Sequence, residues 1–138
     1  DVQTHPFPVF IKPVMPKQFR GAVYASDDEL THECRGLTPE TEIFVAEPVT
    51  FTSEVRSFVL NQRVLDASLY EGTSEISGAI EFFAEVVKTV PLPGTVVIDV
   101  GFIVGRGWAV IEFNAAWGAG LNGCDAEKVL PAILAASC

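Results

Sequence analysis

Short apolar runs predict strands in the first part of the chain. These strands are expected at Pro8–Pro13, Ala22–Ala25 and Ile43–Val49. Between the second and third strands, Ser26–Glu29 has the Ser-x-x-Glu sequence of a capping box, which indicates the start of a helix. That helix is expected to end before Gly36.

The rest of the chain has the pattern of two β-hairpins and two helices. The hairpin strands are predicted at Glu54–Leu60, Arg63–Tyr70, Thr95–Val104 and Gly107–Asn114. Their turns are expected at Asn61-Gln62 and Gly105-Arg106. An amphipathic helix begins at Ser74 or Ser77, and Asp125 is a good N-cap for a last helix. Hairpins alternating with helices indicate an α+β domain with mostly antiparallel sheets and flanking helices.

The second hairpin brings two carboxylates opposite each other. If the turn is centred on Gly105-Arg106, Asp99 lies directly across from Glu112, and Asn114 points to the same face. The neighbouring positions on this face are then Val97, Ile103, Trp108 and Val110, which are all apolar. Two buried carboxylates cost several kcal/mol unless a cation or a proton lies between them.

A hard divalent cation would resolve this repulsion. Mg²⁺ is usually held by one or two carboxylates, and phosphate oxygens complete its shell. Asp99, Glu112 and Asn114 are therefore candidate metal ligands. In the alternative interpretation, one acid points to solvent at a sheet edge and the pair never meets.

Cations cluster near the start of a strongly acidic chain. Lys12 lies inside an apolar strand, and Lys17 and Arg20 follow in the turn Met15–Gly21. The whole chain has 9 Lys and Arg against 18 Asp and Glu, for a formal net charge of −9. The cluster suggests a phosphate-sized pocket, and a solvated turn is the alternative.

Further polar residues have two interpretations each. Glu54 and Arg56 share a face with Phe58, either as site residues or as an ion pair on the solvent side. Glu47 ends a predicted strand and could be an ordinary strand-end acid. Trp117 could stack on a substrate or pack against the last helix.

The composition argues against several classes of protein. A net charge of −9 disfavours nucleic acid or an anionic membrane as the main partner. No apolar run approaches the roughly 20 residues of a membrane span. The 3 cysteines are widely separated and form no CxxC pair, which disfavours a zinc knuckle or a disulfide scaffold. These features are typical of a cytoplasmic protein.

The order of the motifs resembles that of the ATP-grasp superfamily. A lysine strand (FIKP), a turn, an acidic segment (AEPV), a strand with a second acid (SEVRSFV) and the pattern Asp…Glu-x-Asn (IDVG…IEFN) follow one another. The spread of Lys12 and Lys17 with Arg56 along the chain resembles the pattern of the branch described by one arginine and two lysines. The resemblance runs from about Val9 to the C-terminus, and its most specific element is Asp99, Glu112 and Asn114.

The resemblance implies a single ATP-grasp-like domain over residues 1–138. Residues from about 9 to 50 would form a smaller lysine-bearing subdomain, and those from about 51 to 138 a larger metal-binding subdomain. The N-terminal domain that precedes the lysine strand in this family is expected to be absent from the chain.

The resemblance also implies roles for individual residues. Lys12 and Lys17 would contact the ATP phosphates, and Arg56 would face the γ-phosphate or a substrate carboxylate, so that Lys17 and Arg56 are the candidate catalytic residues. Glu54 would accept hydrogen bonds from the ribose hydroxyls. Backbone groups around Glu47, Pro48 and Val49 would contact the purine edge. Asp99, Glu112 and Asn114 would hold one or two Mg²⁺ ions.

The implied function is that of an ATP- and Mg²⁺-dependent carboxylate–amine ligase that works through an acyl phosphate. The chain would supply its nucleotide-binding portion, and the substrates would be small-molecule or peptide carboxylates and amines. Two alternatives stay open: a nucleotide- or protein-binding module without turnover, and a structural domain whose charged residues form only surface ion pairs.

Overall fold

The computed structural model describes residues 6–138, and the chain divides into two units between Val49 and Thr50. The strands are β1 (Val9–Pro13), β2 (Ala22–Tyr24), β3 (Ile43–Ala46), β4 (Ser53–Leu60), β5 (Arg63–Glu71), β6 (Thr95–Ile103) and β7 (Gly107–Asn114). The helices are α1 (Asp27–Glu33), α2 (Ser77–Thr89) and α3 (Ala126–Ser137). All strand pairs are antiparallel, which confirms the predicted α+β class.

The first unit is a sheet of order β2-β1-β3 with a core on one face. Alternation along β1 buries Val9 and Ile11, which pack with Tyr24 and with Leu30 of α1. Ser26 caps α1 as the capping box predicts, because its Oγ accepts a hydrogen bond from the Glu29 N–H at 3.2 Å. Lys12 alternates with the buried residues and so lies on the opposite face of this sheet.

The second unit has a sheet of order β5-β4-β6-β7 that carries a hydrophobic core on each face. On one face, Val55 and Val59 pack against Phe83 of α2. On the other face, Phe58 and Val97 pack against residues that include Val129 of α3. Any polar side chain in the middle of β4 or β6 is therefore covered and needs a partner.

The first hairpin of this unit turns at Asn61-Gln62, as predicted. Both residues have positive φ, 47° and 63°, which is the conformation that a two-residue type I′ turn requires. A register shift between Phe58 and Val59 then moves the pairing by one residue, so that Ser68 rather than Ala67 lies opposite Arg56.

The second hairpin differs from its predicted geometry in its turn and in a bulge. The two differences offset each other in the register, so that the pairing of Asp99 with Glu112 is unchanged. Ile103 pairs with Gly107, so three residues form the turn, and a bulge between Asp99 and Val100 restores the predicted register. Asp99 therefore pairs with Glu112 as expected. The prediction that Trp108 and Val110 share their face is wrong, because the bulge moves both residues into the core beside α2.

One strand end needs correction. Strand β3 ends at Ala46 rather than Val49, since Pro48 has no N–H to extend the ladder. Helix α2 begins at Ser77, the second of the two predicted starts, with Ile76 at its N-cap position. Ser74 forms hydrogen bonds with Ser53 of β4.

Candidate functional site

Three charged residues form one row across the second sheet. Arg56 of β4 pairs with Asp99 of β6, which in turn pairs with Glu112 of β7. Paired residues of neighbouring strands point to the same face, and their Cβ atoms lie about 5 Å apart. The fold thus brings together three of the predicted site residues on the face that α3 partly covers.

Arg56 and Asp99 form a buried bidentate ion pair. Nε and Nη2 of Arg56 donate to the two carboxylate oxygens of Asp99, each at 2.8 Å. The side chains are only 11% and 3% exposed. Asp99 therefore does not point to solvent, and the Arg56 guanidinium is a cation beside it. The hydrogen bonding of Arg56 to the Asp99 carboxylate is the main reason that the pKa of Arg56 is raised.

Arg56 makes two further contacts on this face. Its Nη1 donates to the carbonyl oxygen of Gly120 at 2.8 Å, in the loop of residues 115–124 that follows β7. Its guanidinium carbon lies 5.9 Å from the centre of the Tyr70 ring, which is within the range of a cation–π contact. The pKa of Tyr70 is raised, first by burial and then by the charge of Asp99. Arg56 is thus the centre of the polar contacts of this face.

Three carboxylates of the described residues, those of Glu54, Asp99 and Glu112, lie on the same sheet face as Arg56. The pKa of Glu54 is raised, first by burial and then by repulsion from Glu71, Asp99 and Glu112. One guanidinium pairs with Asp99, so the other acids still repel one another. This excess of negative charge distinguishes the face from an ordinary surface ion pair.

The donor set suits a hard cation. Glu112 and Asn114 alternate onto one face of β7, and Asn114 pairs with Val97, two residues from Asp99. Two carboxylates and an amide oxygen are ligands that Mg²⁺ accepts. Within residues 6–138 no group of three or more His, Cys, Asp or Glu side chains has the arrangement of a metal site. The candidate set is thus two acids and one amide.

The two candidate lysines lie in the first unit. Lys12 is half-buried on β1, with its Nζ 5.4 Å from the centre of the Phe44 ring. Lys17 is exposed and has a positive φ of 66°. Two residues later, Phe19 is buried in the core of this unit and anchors the turn.

The predicted purine-reading segment follows β3 in the same unit. Glu47 and Pro48 line a pocket of about 380 Å³ together with Pro6, Val9 and other residues of the first unit. Val49 is 37% exposed and completes the unit. The lining of this pocket is mostly apolar.

Sequence reasoning missed Tyr70 and the carbonyl of Gly120. An unbroken ladder from the Asn61-Gln62 turn would place Tyr70 on the opposite face from Arg56, and the bulges of this hairpin reverse that placement. A backbone carbonyl carries no sequence signal. Trp117, for which stacking and packing were both open, is 69% exposed and does not pack into the core under α3.

No helix of the described residues is long and apolar enough to cross a membrane. Comparison with known proteins then gives independent information on the fold. No curated protein sequence matches this chain significantly.

Solved structures of ATP-grasp enzymes are similar in fold. An ADP complex of the N5-carboxyaminoimidazole ribonucleotide synthetase purK superposes with a TM-score of 0.58 at 18% identity, over 82% of this chain and 36% of that one. The ATP-grasp ligase PsnB with its minimal precursor gives 0.58 at 20% identity, over 94% and 48%. A PsnB complex with a phosphomimetic precursor variant, Mg and ADP gives 0.52 at 19% identity, over 94% and 45%.

This chain therefore spans between about a third and a half of the length of these enzymes. Their fold confirms the ATP-grasp-like architecture that the motif order indicated. A family model of the ATP-grasp domain, the second family of the clade named for one arginine and two lysines, matches residues 1–132. With almost the whole chain matched, the protein belongs to this family of ATP-grasp domains.

Proposed function

We propose that the chain is the nucleotide-binding portion of an ATP- and Mg²⁺-dependent carboxylate–amine ligase. The observation that carries this proposal is the row of Arg56, Asp99 and Glu112, with an excess of carboxylates on one sheet face. Membership of the ATP-grasp family supports the nucleotide, and the Mg and ADP named for one PsnB complex support the metal.

Asp99, Glu112 and Asn114 are the proposed Mg²⁺ ligands. Bound Mg²⁺ would neutralise phosphate charge and orient the γ-phosphate for transfer. The chain's own contribution is to hold the two carboxylates on adjacent strands, where the register fixes their separation. Arg56 fixes the orientation of the Asp99 carboxylate on the sheet, because it binds both of its oxygens.

Cationic side chains are proposed to bind the phosphates. Lys12 and Lys17 would contact phosphate oxygens, which a flexible ammonium can reach from several directions. Lys17 and Arg56 would contact the γ-phosphate or the substrate carboxylate, as the catalytic residues. The three described hydrogen bonds of Arg56 use three of the five N–H groups that a guanidinium offers, so further contacts are possible.

The nucleoside is proposed to contact two other segments. Backbone groups around Glu47, Pro48 and Val49 would read the purine edge. They lie beside the apolar pocket that Glu47 and Pro48 line. Glu54 would accept hydrogen bonds from the ribose hydroxyls. A hydroxyl donor next to Glu54 would favour its ionised form and offset the repulsion from nearby acids.

The proposed reaction has two steps. A substrate carboxylate oxygen bonds to the γ-phosphorus of ATP as the bond to ADP breaks, giving an acyl phosphate. An amine nitrogen then bonds to the acyl carbon, phosphate leaves and the amine loses a proton. We propose small-molecule or peptide substrates, in keeping with the minimal precursor in the PsnB complex. We also propose a cytoplasmic location.

Hydroxylamine trapping tests this function, since an acyl phosphate reacts with hydroxylamine to give a stable hydroxamate. The full-length protein is incubated with Mg·ATP, hydroxylamine and a panel of small and peptide carboxylates. The proposal expects hydroxamate and ADP in equal amounts with at least one acid. Binding of Mg·ATP without hydroxamate across the panel would instead identify a binding module without turnover.

A further inference from the structure

The loop of residues 115–124 is fixed at both ends and carries an exposed aromatic side chain between them. Ala116 is 1% exposed and Cys124 is 5% exposed, and both pack in the core beneath α3. The N–H of Asp125, next along the chain, donates to Asp66 of β5 at 2.7 Å. Trp117, by contrast, is 69% exposed. The ends of the loop are therefore held, and its first half presents Trp117 to solvent.

The middle of the loop is attached through Arg56 to the acidic face, which is the sheet face that carries Glu54, Asp99 and Glu112. Nη1 of Arg56 donates to the Gly120 carbonyl, while Nε and Nη2 hold Asp99, and all three distances are 2.8 Å. The guanidinium group is planar and rigid, so its orientation is common to all three bonds. A rotation that moves it away from Asp99 must also change the bond to Gly120.

We propose that Arg56, besides the substrate contact proposed above, couples the conformation of loop 115–124 to the occupancy of the Asp99 carboxylate. The inference rests on the proposed function, because it takes Asp99 as a metal ligand. A divalent cation at Asp99 competes with the guanidinium for the same two oxygens. The guanidinium then shifts, its bond to Gly120 changes, and the position of Trp117 changes with it.

The coupling is reciprocal by thermodynamic necessity. A substrate group that contacts Trp117 and fixes the loop alters the hold of Arg56 on Asp99, and so alters the affinity for the metal–nucleotide complex. The conformation of the loop therefore depends on whether metal and nucleotide are bound. Trp108, which packs on the opposite face of the sheet beside α2, has no such connection.

Fluorine NMR of protein labelled with 5-fluorotryptophan tests the coupling, because the chain has 2 tryptophans. Trp117→Phe identifies the Trp117 resonance by its loss. Titration with Mg²⁺ and a non-hydrolysable ATP analogue is expected to move the Trp117 resonance by more than its linewidth and to move that of Trp108 less. In Arg56→Lys, which keeps the charge but not the planar fork, this ligand-dependent movement is expected to be lost. Arg63→Lys, at an exposed position of β5, is the matched control and should retain it.

Calorimetry on the same samples separates this inference from the proposed function. Binding of the Mg·nucleotide without movement of the Trp117 resonance overturns the coupling and leaves the function standing. Equal movement in wild type and Arg56→Lys also overturns it. Absence of binding overturns both. The wild-type titration decides the first outcome by itself, so the test holds even if Arg56→Lys does not fold.

Discussion

Lys12 and Arg56 are both cations in an inner strand of an antiparallel sheet, but they differ in burial and in their contacts. The first sheet has its core on one face, and Lys12 lies on the other face, half-buried beside the ring of Phe44. The second sheet has a core on each face, and Arg56 is buried against Asp99. A strand cation on a face without a hydrophobic core can keep its charged end in water, whereas a strand cation inside a core needs an anion.

The largest effect that this difference predicts concerns folding. Replacing Arg56 by Met leaves the Asp99 carboxylate buried without its partner, and breaking one side of a buried ion pair costs about 3–5 kcal/mol. We expect the free energy of unfolding of Arg56→Met to fall by that amount in chemical denaturation. Arg63→Met, at an exposed position of the same hairpin, is the control and should change it by less than about 0.5 kcal/mol. Equal stabilities of the two variants would show that the buried pair contributes nothing.

A second effect separates binding from folding. Lys12→Ala should weaken binding of Mg·ATP by about 1.5–3 kcal/mol, because it removes a charge-assisted hydrogen bond to phosphate. Its free energy of unfolding should barely change, since Lys12 lies on the face opposite the core of this unit and is only half-buried. Titration calorimetry of Lys12→Ala beside Lys88→Ala, an exposed lysine at the end of α2, measures this. An affinity equal to that of Lys88→Ala would remove Lys12 from the site.

The smallest effect concerns the unpaired charge on the acidic face. The folded-state pKa of Glu54 is raised, so its ionised form destabilises the fold at neutral pH. Below the usual Glu value of 4.5 the group is protonated in both states and this penalty disappears. Glu54→Gln should therefore raise the free energy of unfolding by about 0.5 kcal/mol at pH 7, with the gain fading as the pH falls through the raised pKa toward that value.

Denaturation curves from pH 3.5 to pH 8 measure this gain. Glu40→Gln, an exposed position of the first unit, provides the comparison and should show little gain at any pH. A loss of stability in Glu54→Gln at neutral pH would contradict the repulsion inferred for the acidic face.

Much of the fold follows from the sequence because its signals are local. The capping box at Ser26, the Asn61-Gln62 turn and the N-cap at Asp125 all appear where the residue types predict them. Each depends on a few adjacent residues and their backbone preferences. The order of motifs likewise indicated the ATP-grasp family that the chain belongs to.

The polar contacts of the candidate site were less accessible from the sequence. A β-bulge moves every later side chain to the opposite face, and the residue type of Ile111, the extra residue of the bulge in β7, does not mark one. The sequence predicted that Asp99 needs a cation, but the choice of Arg56 depends on how β4 and β6 are paired, which is a long-range property. The roles given to the site residues remain predictions.

The central claim is that the acidic face of the second unit binds a metal–nucleotide complex. Calorimetric titration with a non-hydrolysable ATP analogue, with and without Mg²⁺, tests it most directly in Glu112→Gln, which leaves the buried pair of Arg56 and Asp99 in place. Glu81→Gln, at an exposed position of α2 on the opposite side of the sheet, is the matched control. The account expects Mg²⁺-dependent binding in wild type and Glu81→Gln and its loss in Glu112→Gln. Binding that is independent of Mg²⁺, or unchanged in Glu112→Gln, would contradict it.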